Sequence, residues 1–142
     1  MANIVIADHS IETRMMLRNL LEHDNHLIVG EAADGEEAYR EYERTKPDLI
    51  ILDIPGLDGM AVLRKILYYY PHAHILMIST DNDTNTVLRA IRLGVKQFLV
   101  KPLEAESLSR AVQETLEQLA QLEQRQAKVV ESKLAAFLNS LD

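Results

Sequence analysis

The chain lacks cysteine, and it lacks any apolar run long enough to cross a membrane. Without cysteine, disulfide bridges, thiolate zinc sites and cysteine nucleophiles are excluded. The first residues also lack the basic segment and the small-residue cleavage site that mark a signal peptide. We therefore expect a cytoplasmic chain that makes no contact with a membrane.

Positive charge is also scarce. The 142 residues carry 15 Lys and Arg against 22 Asp and Glu, a formal net charge of −7, and no run of basic residues. A protein of this kind gains little from counterion release on a phosphate backbone, so we exclude direct DNA binding. The length suits one domain, and 47% hydrophobic with 26% charged residues is typical of a folded globular chain.

Five short apolar runs alternate with amphipathic segments along the chain. Each run is apolar on consecutive positions, as strands are when both faces of a parallel sheet are buried. The segments between them have helical spacing, so the pattern predicts an α/β fold, a doubly wound (βα)5 domain with a five-stranded parallel sheet. The runs are Ile4–Ala7, Leu27–Val29, Leu49–Leu52, Ile75–Ile78 and Phe98–Val100.

Polar residues follow four of the predicted strands where each strand ends. Asp8 follows the first, Asp53 the third, Ser79 the fourth and Lys101 the fifth. In an open α/β sheet, ligands bind beyond the carboxyl ends of the strands. Carboxylates suit Mg²⁺, and hydroxyl and ammonium donors suit phosphoryl oxygens, so these residues predict a site for a divalent cation and a phosphoryl group.

These markers, in this order, resemble those of the response-regulator receiver domain, the family of CheY. The segments Val29–Ala38 and Gly56–Gly59 are also typical of its second and third strand–helix units. The resemblance covers residues 3 to about 120. It implies a sheet with strand order 2-1-3-4-5 and a role in two-component phosphorelay, in which a histidine kinase donates the phosphoryl group.

The resemblance also implies a role for each marker. Asp53 is the phosphoacceptor, and Asp8 helps Asp53 to hold Mg²⁺. Ser79 is the hydroxyl that binds the phosphoryl oxygens, Lys101 pairs with them, and the peptide bond after Lys101 is cis. Phe98 is the aromatic residue that turns inward as the hydroxyl moves. The signal then passes to a downstream protein through the face formed by the fourth helix, fifth strand and fifth helix.

Two departures from the family pattern affect the metal site. His9 stands where the family has a second acid, and histidine is a poor ligand for Mg²⁺. The loop after Asp53 is two residues shorter than usual, which removes the usual carbonyl ligand and leaves Pro55 or Ile54 as candidates. We expect Mg²⁺ binding to be weakened or lost, with a protonated His9 as an alternative cation beside Asp8 or Asp53.

Two functions therefore remain open. The first is a phosphoaccepting receiver, which is not an enzyme beyond its own autocatalytic phosphorylation. The second is a pseudo-receiver, which does not bind Mg²⁺ or phosphoryl well and serves as a protein-binding or dimerisation module. We favour the first, because Asp53, Ser79 and Lys101 are all present. A metal-dependent hydrolase is disfavoured, because no catalytic base is evident besides the carboxylates.

The C-terminal segment exceeds the length of a receiver domain. We assign residues 1–121 to the receiver domain and 122–142 to a C-terminal helical extension, since no Gly or Pro follows Pro102. Apolar residues at helical spacing predict a stripe that either packs on the chain itself or binds a helical partner. We favour association, with a homodimer through this helix as one form of it.

Overall fold

A computed structural model describes residues 1–80 and 83–141, with side chains described at all of these positions except 56 and 57. Strands and helices alternate along the chain. The strands are β1 (Asn3–Asp8), β2 (Leu27–Ala32), β3 (Leu49–Asp53), β4 (Ile75–Ser79) and β5 (Gln97–Val100). The helices are α1 (Ile11–His23), α2 (Gly35–Thr45), α3 (Gly56–Tyr69), α4 (Thr84–Leu93) and α5 (Ala105–Asn139).

The strands form one parallel sheet in the order β2-β1-β3-β4-β5, which confirms the predicted fold. Strand residues alternate between two cores, and this explains the consecutive apolar positions. The core against α2, α3 and α4 takes Val5, Ala7, Ile50, Leu52, Ile75 and Met77 from the sheet. The core against α1 and α5 takes Ile4, Ile6, Leu49, Ile51, Leu76 and Ile78.

The helix ends follow local sequence signals. The side chain of Asp34 accepts a hydrogen bond from the backbone N–H of Glu37 at 2.8 Å, so Asp34 caps α2. Ser10 caps α1 in the same way. Gly94 ends α4 with a φ of 119°, a left-handed conformation that glycine adopts without steric cost.

Helix α5 is the longest element, with 35 residues and a length of about 52 Å at 1.5 Å per residue. Its first part packs on the sheet through Leu108, Ala111, Val112 and Thr115, all buried. The described residues after position 122 are exposed, and the helix continues through them without a break. None of the helices in the described part of the chain combines the length and apolarity that a bilayer span requires.

Candidate functional site

Asp8 and Asp53 lie side by side at the carboxyl edge of the sheet. Strands β1 and β3 are hydrogen-bonded neighbours, and their parallel register pairs Asp8 with Asp53. Both residues are almost fully buried, with 0% and 5% of their surface exposed. Strand order and register alone therefore bring two carboxylates, 45 residues apart in the chain, into one small buried volume.

Lys101 reaches this pair from the position directly after β5, the strand at one end of the sheet. Its Nζ lies 3.4 Å from Oδ2 of Asp8 and forms a close ion pair with Oδ2 of Asp53. Its backbone N–H donates to the carbonyl oxygen of Ser79 at 2.8 Å, which ties the end of β5 to the end of β4. The four residues named from the sequence thus meet at one edge, and the peptide bond after Lys101 is cis as expected.

The charges in this volume do not cancel. Burial and, to a lesser extent, the neighbouring Asp8 carboxylate together raise the pKa of Asp53 to about 6, although Lys101 acts in the opposite direction. The pKa of Lys101 is itself raised, because its ion pairs with Asp53 and Asp8 outweigh the effect of burial. Two acids against one ammonium leave an excess of negative charge, which favours the approach of a further cation.

Asp8 is held by its own loop. Its Oδ1 accepts a hydrogen bond from the backbone N–H of Ser10 at 2.7 Å. Its backbone carbonyl accepts from Nη1 of Arg14 at 2.6 Å. The next residue, His9, has a side chain that is 60% exposed, with Nδ1 at 3.6 Å from Oδ1 of Asp8. His9 therefore lies at the rim of the pocket, outside the buried pair.

A second layer of charge supports this loop, and our reading of the sequence missed it. Nε of Arg14 lies 3.3 Å from Oε1 of Glu31 on β2, and Nη2 of Arg18 lies 2.5 Å from Oε2 of the same carboxylate. The available signal was an Arg one turn into the helix after Asp8 and an acid in a predicted neighbouring strand. Glu31 thus positions Arg14, which in turn holds the backbone of Asp8.

The loop between β3 and α3 is tight. Helix α3 begins at Gly56 with Pro55 as its N-cap, so only Ile54 and Pro55 separate it from Asp53. A side chain at Gly59 would overlap the carbonyl oxygen of Ile54, so the short loop requires glycine there. Because the Ile54 carbonyl lies against α3, Pro55 is the better candidate for a backbone metal ligand, and this assignment stays a prediction.

Comparisons with known proteins agree with this geometry. The sequence model of one protein family, the response regulator receiver domain, matches residues 4–113. Protein CcdB of Bacillus subtilis is 39% identical over 114 residues, covering 79% of this chain and 95% of that protein. Chemotaxis protein CheY of Listeria monocytogenes is 34% identical over 115 residues, covering 80% and 97%. The chain belongs to the response regulator receiver domain family.

Solved structures lead to the same family. A chain from the CheX–CheY–BeF3–Mg²⁺ complex of Borrelia burgdorferi superposes with a TM-score of 0.76 and 30% identity, covering 80% of this chain and 88% of that one. This protein is therefore a receiver domain of two-component signalling. Receiver domains generally bind Mg²⁺, and they interact with histidine kinases and with downstream effectors.

The carboxylates of this receiver fit Mg²⁺, though few protein groups would share it. Mg²⁺ commonly binds through one or two carboxylates and phosphate oxygens while keeping several waters. Asp8 and Asp53 supply two such carboxylates. Within the described residues, no group of three or more His, Asp and Glu side chains is arranged to hold a metal. Asp8 and Asp53 thus suit a largely hydrated ion rather than a closed protein cage.

The two residues expected to switch on activation flank the same edge. Ser79 ends β4 and is partly buried, opposite Val100 in the register of the sheet. Phe98 lies two residues before Val100, pairs with Met77 and is partly buried against the core beneath α3 and α4. A change at Ser79 would therefore reach Phe98 through adjoining strands, and this switching role stays a prediction.

Proposed function

We propose that this receiver accepts a phosphoryl group on Asp53 from the phosphohistidine of a histidine kinase. The observation that carries the proposal is the convergence of Asp8, Asp53 and Lys101 in one buried volume. A carboxylate oxygen of Asp53 attacks phosphorus, the phosphorus–nitrogen bond breaks, and the histidine nitrogen keeps the electron pair. The products are an acyl phosphate on Asp53 and a free imidazole on the kinase.

Lys101 is the residue that stabilises the transferred group. Its ammonium already lies against Asp53, so it stands beside the oxygens of an arriving phosphoryl group without a long movement. Asp8 and Asp53 would hold Mg²⁺, which supplies further neutralisation of phosphoryl charge when bound. The chemistry ends at the receiver's own side chain, so we do not propose an enzyme that acts on a second substrate.

The phosphorylated receiver signals through the face formed by α4, β5 and α5. An acyl phosphate adds about two negative charges, which attract the hydroxyl of Ser79 and move its loop. Exposed apolar side chains on this face, Ile91 at 53% and Val100 at 41%, suit contact with a downstream protein. We propose that the kinase and this partner meet the receiver in the cytoplasm.

The test is intact-mass spectrometry after incubation with acetyl phosphate, with and without Mg²⁺. We expect a gain of one phosphoryl group, and no gain for Asp53→Asn. Asp58→Asn is the matched control, because Asp58 is an exposed acid at the start of α3. A gain that persists in Asp53→Asn, or that is lost equally in Asp58→Asn, would contradict the assignment of Asp53.

The pseudo-receiver is the second candidate, and the rim of the pocket favours it. His9 supplies no carboxylate, and the loop after Asp53 is short, so Mg²⁺ has fewer protein oxygens to bind. If the wild type gains no mass with any phosphodonor, His9→Asp tests the effect of the missing acid. We expect this variant to become phosphorylated if the absence of that carboxylate alone prevents the reaction. Failure of both proteins to gain mass would favour the pseudo-receiver.

A further inference from the structure

The projecting half of α5 carries an exposed apolar stripe. Val130, Leu134, Phe137 and Leu141 are 65%, 54%, 58% and 66% exposed. They follow one another at intervals of four, three and four residues, the spacing of the core positions of a coiled coil. Val130, Leu134 and Phe137 lie in α5 and form a single row on it, and Leu141 continues the spacing in the turn that follows Asn139. Four large apolar side chains at this spacing form a surface that a helix of matching spacing covers well.

The receiver itself does not cover this stripe. The helix runs without interruption to Asn139, and there is no Gly or Pro after Pro102 at which it would readily bend back. At 1.5 Å per residue, the helical residues from 122 to 139 extend about 27 Å beyond the domain. The receiver domain of the same chain therefore leaves the stripe open to a partner.

We propose that this segment pairs with the same segment of a second copy of the chain, in an antiparallel two-helix coiled coil. A second copy presents an apolar row of the same spacing, and a two-fold axis makes the surface complementary to itself. The proposal is independent of phosphorylation, because it involves only residues outside the receiver domain.

The direction of the stripe decides the orientation of the two helices. Leu108, Leu119, Val130 and Leu141 are spaced by eleven residues, which is close to three helical turns. The stripe therefore points to nearly the same side as Leu108, which packs on the sheet. In a parallel pair, the partner helix would run through the receiver domain. In an antiparallel pair, the partner helix instead leads away from the receiver domain.

Charge selects the register. With the two-fold axis between residues 135 and 136, Val130 meets Leu141 of the second copy, and Leu134 meets Phe137 of the second copy. At the flanks of this pairing, Glu131 lies beside an apolar Leu138. Lys133 then lies beside a neutral side chain, that of Ser140. If the pairing shifted by one heptad toward the receiver domain, Glu131 would lie beside Glu131 of the second copy, and Lys133 beside Lys133 of the second copy. Repulsion between like charges disfavours that register.

The first experiment is sedimentation velocity on the full chain over a wide concentration series. With four apolar layers, we expect a dimer that dissociates on dilution. Leu134→Glu or Phe137→Glu should make the chain monomeric throughout, while Val129→Glu should leave the dimer intact. Val129 is the matched control, because it is 51% exposed on the same segment but lies outside the stripe. All three substitutions lie outside the folded core, so the receiver keeps its fold.

The second experiment measures the orientation. Because the chain has no cysteine, Gln121→Cys gives one labelling site for a pulsed electron spin resonance distance. The proposed register places the two labels about 40 Å apart along the axis, whereas a parallel pair would place them within roughly 20 Å. A short distance would overturn the antiparallel arrangement. A chain that stays monomeric, or a dimer that Leu134→Glu does not affect, would overturn the proposal and leave the stripe to a different protein.

Discussion

Asp8 and His9 are consecutive residues with opposite environments. The Asp8 side chain is fully buried in the floor of the pocket, which it forms with Asp53 and Lys101. The His9 side chain is 60% exposed at the rim. Strand register fixes the floor, because each member is the end of a hydrogen-bonded strand or is bonded to one. The rim is formed by loops, which tolerate substitution and deletion without loss of the fold.

The difference suggests that the two parts of the pocket serve separable purposes. Under the proposed function, the floor would carry the nucleophile and the cation that meets the phosphoryl group, so a change there should alter the chemistry itself. The rim would tune how strongly a metal ion binds. We therefore expect the effects of substitution to decrease from the floor to the rim.

The largest effect should come from Lys101→Met. Loss of the ammonium removes the one protein cation at Asp53 among the described side chains, so phosphorylation by acetyl phosphate should slow by about 100-fold or more. The rate is measured by intact mass over time at saturating Mg²⁺. Lys65→Met is the control, because Lys65 lies over the ring of Tyr39 and away from the site. A rate for Lys101→Met within a few-fold of wild type would remove Lys101 from the mechanism.

The floor was predictable from the sequence and much of the rim was not. Asp8, Asp53, Ser79 and Lys101 each follow an apolar run, and a doubly wound sheet brings strand ends to one edge whatever the loops do. The register that pairs Asp8 with Asp53 depends on cross-strand hydrogen bonding, which a single chain does not specify by pattern alone.

The supports of the site escaped prediction for a related reason. Glu31 and Arg14 come together because β2 lies beside β1 and α1 packs over both, a tertiary contact with no local signature. The path of the loop after Asp53 could not be predicted from the sequence either. A side chain at Gly59 would overlap Ile54, and this overlap depends on the angle at which α3 leaves the sheet. By contrast, the absence of Gly and Pro predicted a helical C-terminal segment, although it left open whether the segment extends the last helix or forms a separate one.

Asp53→Asn should change how the stability of the protein depends on pH. Burial, with Asp8 adding to it, raises the folded-state pKa of Asp53 to about 6, above the ordinary value near 3.9 in the unfolded chain. The stabilising contribution of this group is therefore complete below about pH 3.9 and is lost as the pH rises through 6. This difference in pKa corresponds to about 3 kcal/mol. We expect about 1–2 kcal/mol of it to appear in Asp53→Asn, because the substitution also removes the ion pair with Lys101.

The free energy of unfolding of Asp53→Asn should thus be about 1–2 kcal/mol higher than that of the wild type at pH 7, so the variant is more stable. The difference should vanish near pH 4. Urea denaturation at the two pH values measures it, without added divalent cations. Asp58→Asn, at an exposed acid, should show no such crossover. An Asn variant less stable than wild type at pH 7 would mean that the ion pair with Lys101 outweighs the cost of burying two carboxylates.

A smaller effect is expected from His9→Asp. The substitution adds a carboxylate near Asp8 at an exposed position, where solvent limits the gain in Mg²⁺ affinity to about tenfold. Isothermal titration with MgCl2 measures the affinity directly, and His9→Asn controls for loss of the imidazole without added charge. Equal affinities for the Asp and Asn variants would show that the short loop, rather than the missing acid, limits metal binding.

The smallest effect should be that of His9→Ala on folding. An exposed side chain whose nearest ionic contact lies at 3.6 Å contributes little, so the free energy of unfolding should change by less than about 0.5 kcal/mol. Arg14→Ala, one turn into α1, should cost more, since it removes both the hydrogen bond to the Asp8 carbonyl and the ion pair with Glu31. Urea denaturation of both variants at pH 7 decides the order. If His9→Ala were the more destabilising, the histidine would belong to the floor of the pocket, and the separation between floor and rim would fail.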